Sequence, residues 1–137
     1  MKVDVIIAVL GFLLLGNVSL YHVNWLDYSE PVPFELIDQI EMTDFKGLKE
    51  PNQSLHGDQE FAFIHTTIEV EESTDNSVKV TAYFHPSRSY TFDQEVFSPE
   101  LLKHELYHFR ITEYCARLIR KEIAENGMQN VDELLER

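Results

Sequence analysis

The chain has 137 residues, 44% hydrophobic and 12% aromatic, which suits one packed domain and excludes a disordered chain or two full-sized domains. Its net charge of −13 argues against a nucleic-acid partner, because such a surface repels phosphates. A single cysteine, Cys115, excludes an intrachain disulfide and a cysteine-based zinc knuckle, and on a helix it reads as core packing.

The first segment, "MKVDVIIAVLGFLLLGNVSLYHV", runs apolar from Val5 to Leu15, with a weaker extension to Leu20. A membrane-spanning helix needs about 20 apolar residues, whereas a signal-peptide core needs about 7–15. Residues 1–20 therefore read as a signal peptide or, uncleaved, as an N-terminal membrane anchor through residues 5–20. The expected location is periplasmic, cell-envelope or extracellular, with residues 21–137 as a single exported domain.

Pro31 and Pro33 break any helix in the stretch 21–38, where Trp25 and Phe34 are expected to anchor short extended pieces on the core. Ile40, Met42 and Phe45 are the next apolar points. A loop rich in glycine, proline and asparagine follows them. "EFAFIHTTIEV", 60–70, and "VKVTAYFHP", 78–86, read as two strands joined by the polar turn 71–77, an antiparallel hairpin. Strand alternation places Phe61, Phe63, His65 and Thr67 on one face of the first strand. Val78, Val80, Ala82 and Phe84 share one face of the second, with Thr81, Tyr83 and His85 on the other.

A helix of about 28 residues begins at Ser98, with Ser98 as N-cap, Pro99 at the first position and Glu100 in the first turn, and it stops at Gly127. "VDELLER" reads as a short terminal helix or tail. The long helix contains "HELYH", residues 104–108. With His104 at 0° and about 100° per residue, His108 falls near 40°. Leu101, Ile111, Cys115, Leu118 and Ile119 fall within about 60° of His104, so both histidines are expected inside a buried apolar stripe. Histidines one turn apart on such a face need polar partners, and a zinc ion supplies one. Glu105 stands at the edge of the stripe, within reach of a metal-bound water. This is the mechanical content of HExxH: two ligands, His104 and His108, and a general base, Glu105, on one helix.

A hydrolytic zinc site takes a third protein ligand. His85 at the end of the second strand is the first candidate and His65 on the neighbouring strand the second. Glu122 shares the histidine face but lies about 27 Å further along a straight helix. Glu113, at about 180°, turns away from the pair. Its bland role is an outer-face salt bridge to Arg117, four residues on.

"HELYHFRITEYCARLIRKEI" resembles the HEQGHFDI-type signature of a bacterial family of predicted secreted zinc-dependent proteases, domain-of-unknown-function family 922. "IEMTDFKGLKEP", 40–51, resembles that family's upstream tryptophan-x-aspartate-phenylalanine-x-glycine element, and "VKVTAYFHPSRSY" resembles its strand leading into a serine-aromatic pair, here Ser89-Tyr90. The three blocks keep the family's order across about residues 22–123. The resemblance implies His104 and His108 as metal ligands, Glu105 as catalytic base, and Glu113 as the match to a later glutamate, which keeps it open as a third ligand. Leu106-Tyr107 replaces a glutamine-glycine pair, Arg110 replaces an acid, and Thr43 replaces the tryptophan.

The expected architecture is α+β: a small zincin-like domain, an antiparallel sheet of a few strands packed on one long HExxH-bearing helix. The expected function is an exported zinc-dependent hydrolase, a metallopeptidase acting on a peptide or protein. The alternative is a non-catalytic envelope binding module, zinc-stabilised or metal-free.

Overall fold

The computed structural model describes residues 23–49, 62–75, 77–91 and 98–127. The expected targeting segment, most of the expected loop after Phe45, the first two residues of the expected strand 60–70 and the terminal "VDELLER" lie outside them. No helix among the described residues is long and apolar enough to cross a membrane.

The architecture is α+β, antiparallel sheets of few strands packed against one long helix. Strands β1 (Val32–Pro33), β4 (Val78–Phe84) and β3 (Thr66–Glu72) form one sheet in the order β1-β4-β3, and β2 (Ala62–Phe63) pairs with β5 (Tyr90–Thr91) in a second. The long helix α1 spans Pro99–Asn126.

The expected hairpin is present, with Thr66 opposite Phe84 and Glu72 opposite Val78. The first strand, however, divides. β2 pairs with β5, Ile64 and His65 turn the chain, and β3 pairs with β4. The division has a local cause. The Ser89 hydroxyl, fully buried, accepts from the His65 backbone N–H at 2.8 Å and donates to the His85 carbonyl at 2.8 Å. It satisfies the backbone where the chain changes partners, a place where an orphaned buried amide costs about 1–3 kcal/mol.

Side chains alternate across the sheet as their parity requires. Val80, Ala82 and Phe84 are buried with Ile68 and Val70 against them, and this face receives α1. Thr66 Oγ1 and Thr112 Oγ1, 2.7 Å apart, tie the two elements at one end. Phe109, wholly buried, meets Phe34 edge-on at 5.2 Å, and Phe84 meets Phe45 at 5.3 Å.

The helix begins and ends as its caps dictate. The Ser98 hydroxyl accepts from the Leu101 amide at 3.1 Å, and Gly127 leaves the helix at φ 71° while its amide donates to Ile123 O at 2.9 Å. Its buried stripe differs from the expected one. Glu105, Phe109, Glu113, Ala116 and Ile119 face the core, which centres the stripe about 120° from His104. Ile111 and Leu118 are 46% and 43% exposed, Cys115 is exposed, and His104 and His108 stand at the stripe's solvent-side margin. The reason is that Phe109, Ala116 and Ile123 outweigh Ile111, Cys115 and Leu118: an aromatic ring and a small residue let the helix approach the sheet closely.

The N-terminal pieces close the other side. Pro33 leads into a 3-10 helix, Phe34–Gln39, and a second, Met42–Asp44, carries a capping box in which Glu41 N–H donates to Asp44 Oδ2 at 2.8 Å. Ile37, Ile40, Met42 and Phe45 enter the core. Trp25, expected on the core, is 56% exposed and stacks on Tyr28 at 5.4 Å. Lys46 N–H donates to Pro86 O at 3.0 Å and Gly47 N–H to Ser89 O at 2.7 Å, while Asn24 bridges Ser87 O and Lys46 O. Gly47 sits so close that a Cβ there would lie 2.7 Å from Ser89 O. The "TDFKG" and "HPSRSY" blocks are therefore one interlocked corner, and Ser89-Tyr90 is part of the core.

Candidate metal centre

His104 and His108 lie one turn apart on α1 with their Nε2 atoms 3.3 Å apart, ring centroids 4.9 Å apart and planes at 82°. Two imidazole nitrogens bound at about 2.0–2.1 Å to one tetrahedral ion lie about 3.3 Å from each other. With both rings protonated at Nδ1 the pair presents two lone pairs to a common point; with one Nε2 protonated the same contact is a histidine–histidine hydrogen bond.

That point opens on a groove of about 580 Å³ between α1 and the strands. Leu101, His104, Glu105, His108, Ile111 and Thr112 form the helical wall, and Ala62, Phe63, Ile64 and Thr66 form the other. Glu105 is 5% exposed and lines the same groove. The structure therefore brings together the three polar residues of HExxH, two exposed imidazoles and one buried carboxyl group, beside a largely apolar strand wall.

The proposed third ligands go elsewhere. β3 turns Thr66 toward α1, so His65 and Thr67 point to the opposite face of the sheet, and His85 does the same from the end of β4. His65 and His85 pack edge-on at 5.2 Å, and His85 Nε2 lies 2.7 Å from Thr67 Oγ1. Burial, with the charges of His65 and Arg88, holds the His85 imidazole down to about 4. Burial and then Arg88 lower His65 as well. Both lie on the face of the sheet opposite the one that Thr66 turns to α1. Glu122 hydrogen-bonds Asn126 at 2.7 Å near the far end of the helix.

Glu113 does bond Arg117, Nε to Oε1 at 2.9 Å, but it is not an outer-face residue. It is 6% exposed and also receives Arg120 through both oxygens, at 3.0 and 2.9 Å. Arg120 Nε in turn donates to Val80 O at 2.9 Å. Val80 belongs to a pair whose backbone groups point away from β3, beyond the two-residue reach of β1, so the guanidinium fills an open sheet edge. The Arg120 hydrogen bonds come first among the forces that hold the Glu113 carboxyl below its usual range. Glu113 latches α1 to the sheet. Sequence reasoning missed Arg120, although its position seven residues after Glu113, on the same helix side, was the available signal.

Among the described residues, no group of three histidine, cysteine, aspartate or glutamate side chains is arranged to hold a metal ion. The donor set among the described residues is the His104–His108 pair, with Glu105 lining the same groove. In comparisons with known proteins, no family model matches the chain, and no curated protein or solved structure matches it significantly.

Proposed function

We propose that the chain is an exported zinc-dependent hydrolase, a metallopeptidase of zincin-like architecture. His104 and His108 hold the zinc, and Glu105 is the general base. The 3.3 Å approach of the two Nε2 atoms carries this reading, because it matches the spacing that two ligands of one tetrahedral ion need. The three motif blocks that resemble family 922 support it. The apolar segment 1–20 supports export, as a signal peptide or as an anchor.

Bound zinc supplies a Lewis acid and makes water a nucleophile near neutral pH. The chain's own residues do the rest. Glu105, sheltered at the floor of the groove, takes a proton from the attacking water and passes it to the leaving amine. The strand wall, with Ile64 and Phe63, packs the substrate and limits water. β3 is an edge strand of its sheet, and the backbone groups of Thr66, Ile68 and Val70 point away from β4. They offer an extended peptide a hydrogen-bonding rail along the groove.

The test is metal content with peptidase activity. The purified chain is expected to hold one zinc, His104→Ala and His108→Ala to lose it, and Glu105→Gln to keep it without cleaving peptide. A metal-free chain, or cleavage undiminished in Glu105→Gln, sinks the proposal. That no third ligand converges among the described residues favours a second reading, a zinc-stabilised or metal-free binding module. Zinc retained with no turnover by the unaltered chain would select it.

A further inference from the structure

Lys103, Tyr107, Arg110, Tyr114, Arg117 and Lys121 recur along α1 at spacings of four, three, four, three and four residues. Such a period keeps them on one face of a helix. That face is turned to solvent: Tyr107 and Tyr114 are 59% and 61% exposed, and Lys103 and Arg110 are exposed. It gathers four of the eleven bases of a chain whose net charge is −13. Two of the four are already engaged, Arg117 by Glu113 and Lys121 by Glu125 at 3.8 Å. Among the described residues, Lys103 and Arg110 have no ion-pair partner.

These two bases border a depression of about 290 Å³ with Glu100, His104 and Tyr107. His104 lines both this depression and the main groove, so the cationic shelf begins where the histidine pair ends. Tyr107 and Arg110, which give the shelf its ring and a charge, are also two positions where the motif departs from the family pattern.

We propose that the shelf sets the substrate class: an acidic peptide, whose carboxylates beside the scissile bond pair with Lys103 and Arg110 while Tyr107 packs on its backbone. This rests on the hydrolase reading above. Lys103 and Arg110 are seven residues apart, about 10 Å along the helix, which an extended peptide covers in about three residues. A short acidic segment meets only the shelf. A long polyanion would also meet the acidic remainder, including Glu69, Glu71, Glu72 and Asp75 of the hairpin, all exposed.

The test uses the full chain, labelled peptides with three central glutamates or three central lysines, and fluorescence anisotropy at low salt. The glutamate peptide is expected to bind at least about tenfold tighter, and Lys103→Glu/Arg110→Glu to reverse the order with an unchanged thermal midpoint. A salt series on the unaltered chain needs no variant, since the preference must collapse toward 1 M salt. Equal binding of the two peptides, a preference untouched by the double variant, or one that survives high salt overturns the inference. So does a single-stranded oligonucleotide or an anionic phospholipid vesicle that binds as tightly through the same two residues. Glu105-dependent cleavage with no acidic preference overturns the shelf and spares the hydrolase. Acidic binding without any Glu105-dependent cleavage overturns the hydrolase and leaves the shelf as a peptide site.

Discussion

Replacing Glu113 with alanine separates a latch from a ligand. The substitution removes a carboxylate that is 6% exposed and takes three charged hydrogen bonds from Arg117 and Arg120. Breaking a fully buried pair costs about 3–5 kcal/mol. The Arg120 side chain is 37% exposed and can be partly rehydrated, and Arg117 is 66% exposed and contributes little. A loss of about 2 kcal/mol follows, roughly 8 °C in thermal midpoint for a domain of this size. Arg120→Ala should cost at least as much, since it also orphans Val80 O, whereas Arg117→Ala should cost under about 0.5 kcal/mol. Thermal denaturation followed by circular dichroism reads all three, and zinc content of Glu113→Ala reads the rest. Glu113 is not a latch if Arg117→Ala costs as much as Arg120→Ala, or if Glu113→Ala keeps its stability and loses its metal. The same carboxyl titrates below its usual value, so its contribution is complete above about pH 4.5 and is lost as the pH falls through the folded value.

The His65–His85 pair has the opposite charge logic but the same direction in pH. Both imidazoles are lowered in the fold, so the unfolded chain takes up their protons first. Stability should fall as the pH drops from about 6.5 toward 4, and His85→Gln should flatten that slope in a series of thermal midpoints. Ser89→Ala leaves the His65 amide unmatched, while the His85 carbonyl still accepts from the Arg88 and Ser89 amides, and should cost about 1–3 kcal/mol in urea unfolding; a cost near zero would mean that the strand break does not depend on the hydroxyl. Gly47→Ala forces a Cβ against the Ser89 carbonyl backbone and should cost about 2 kcal/mol or more, read as a fall in the urea midpoint at unchanged m-value.

The hairpin was legible because Val78, Val80, Ala82 and Phe84 alternate cleanly, and the helix because Ser98, Pro99 and Gly127 punctuate it. The same alternation already told against His65 and His85 as ligands: the apolar strand face must meet the helix, and both histidines lie on the other. The rotation of α1 was not legible from counting apolar side chains. Its buried face includes Glu105, Glu113 and Ala116; the burial of Glu113 depends on Arg120, which also bonds Val80 O of β4. The division of the first strand depends on Ser89, 24 residues away in sequence from the amide it satisfies. No local pattern encodes such a partner. At the site, the helix register alone brought His104 and His108 together, since residues four apart converge on any regular helix.

The interlocked corner has a consequence for the order in which the chain can assemble. Asn24, Lys46 and Gly47 find their partners at residues 86–89, and Ile37 and Phe45 share a core with Phe109, Ala116 and Ile119. During synthesis, Ile37, Ile40, Met42 and Phe45 emerge before the strand and helix residues that share their core. Non-local pairing of this kind is slow and exposed to aggregation. Folding must wait for α1: the helix can set His104 and His108 one turn apart by itself, but the wall of Ala62, Phe63, Ile64 and Thr66 meets them only once α1 docks. Under the hydrolase reading, activity would then switch on only when α1 docks.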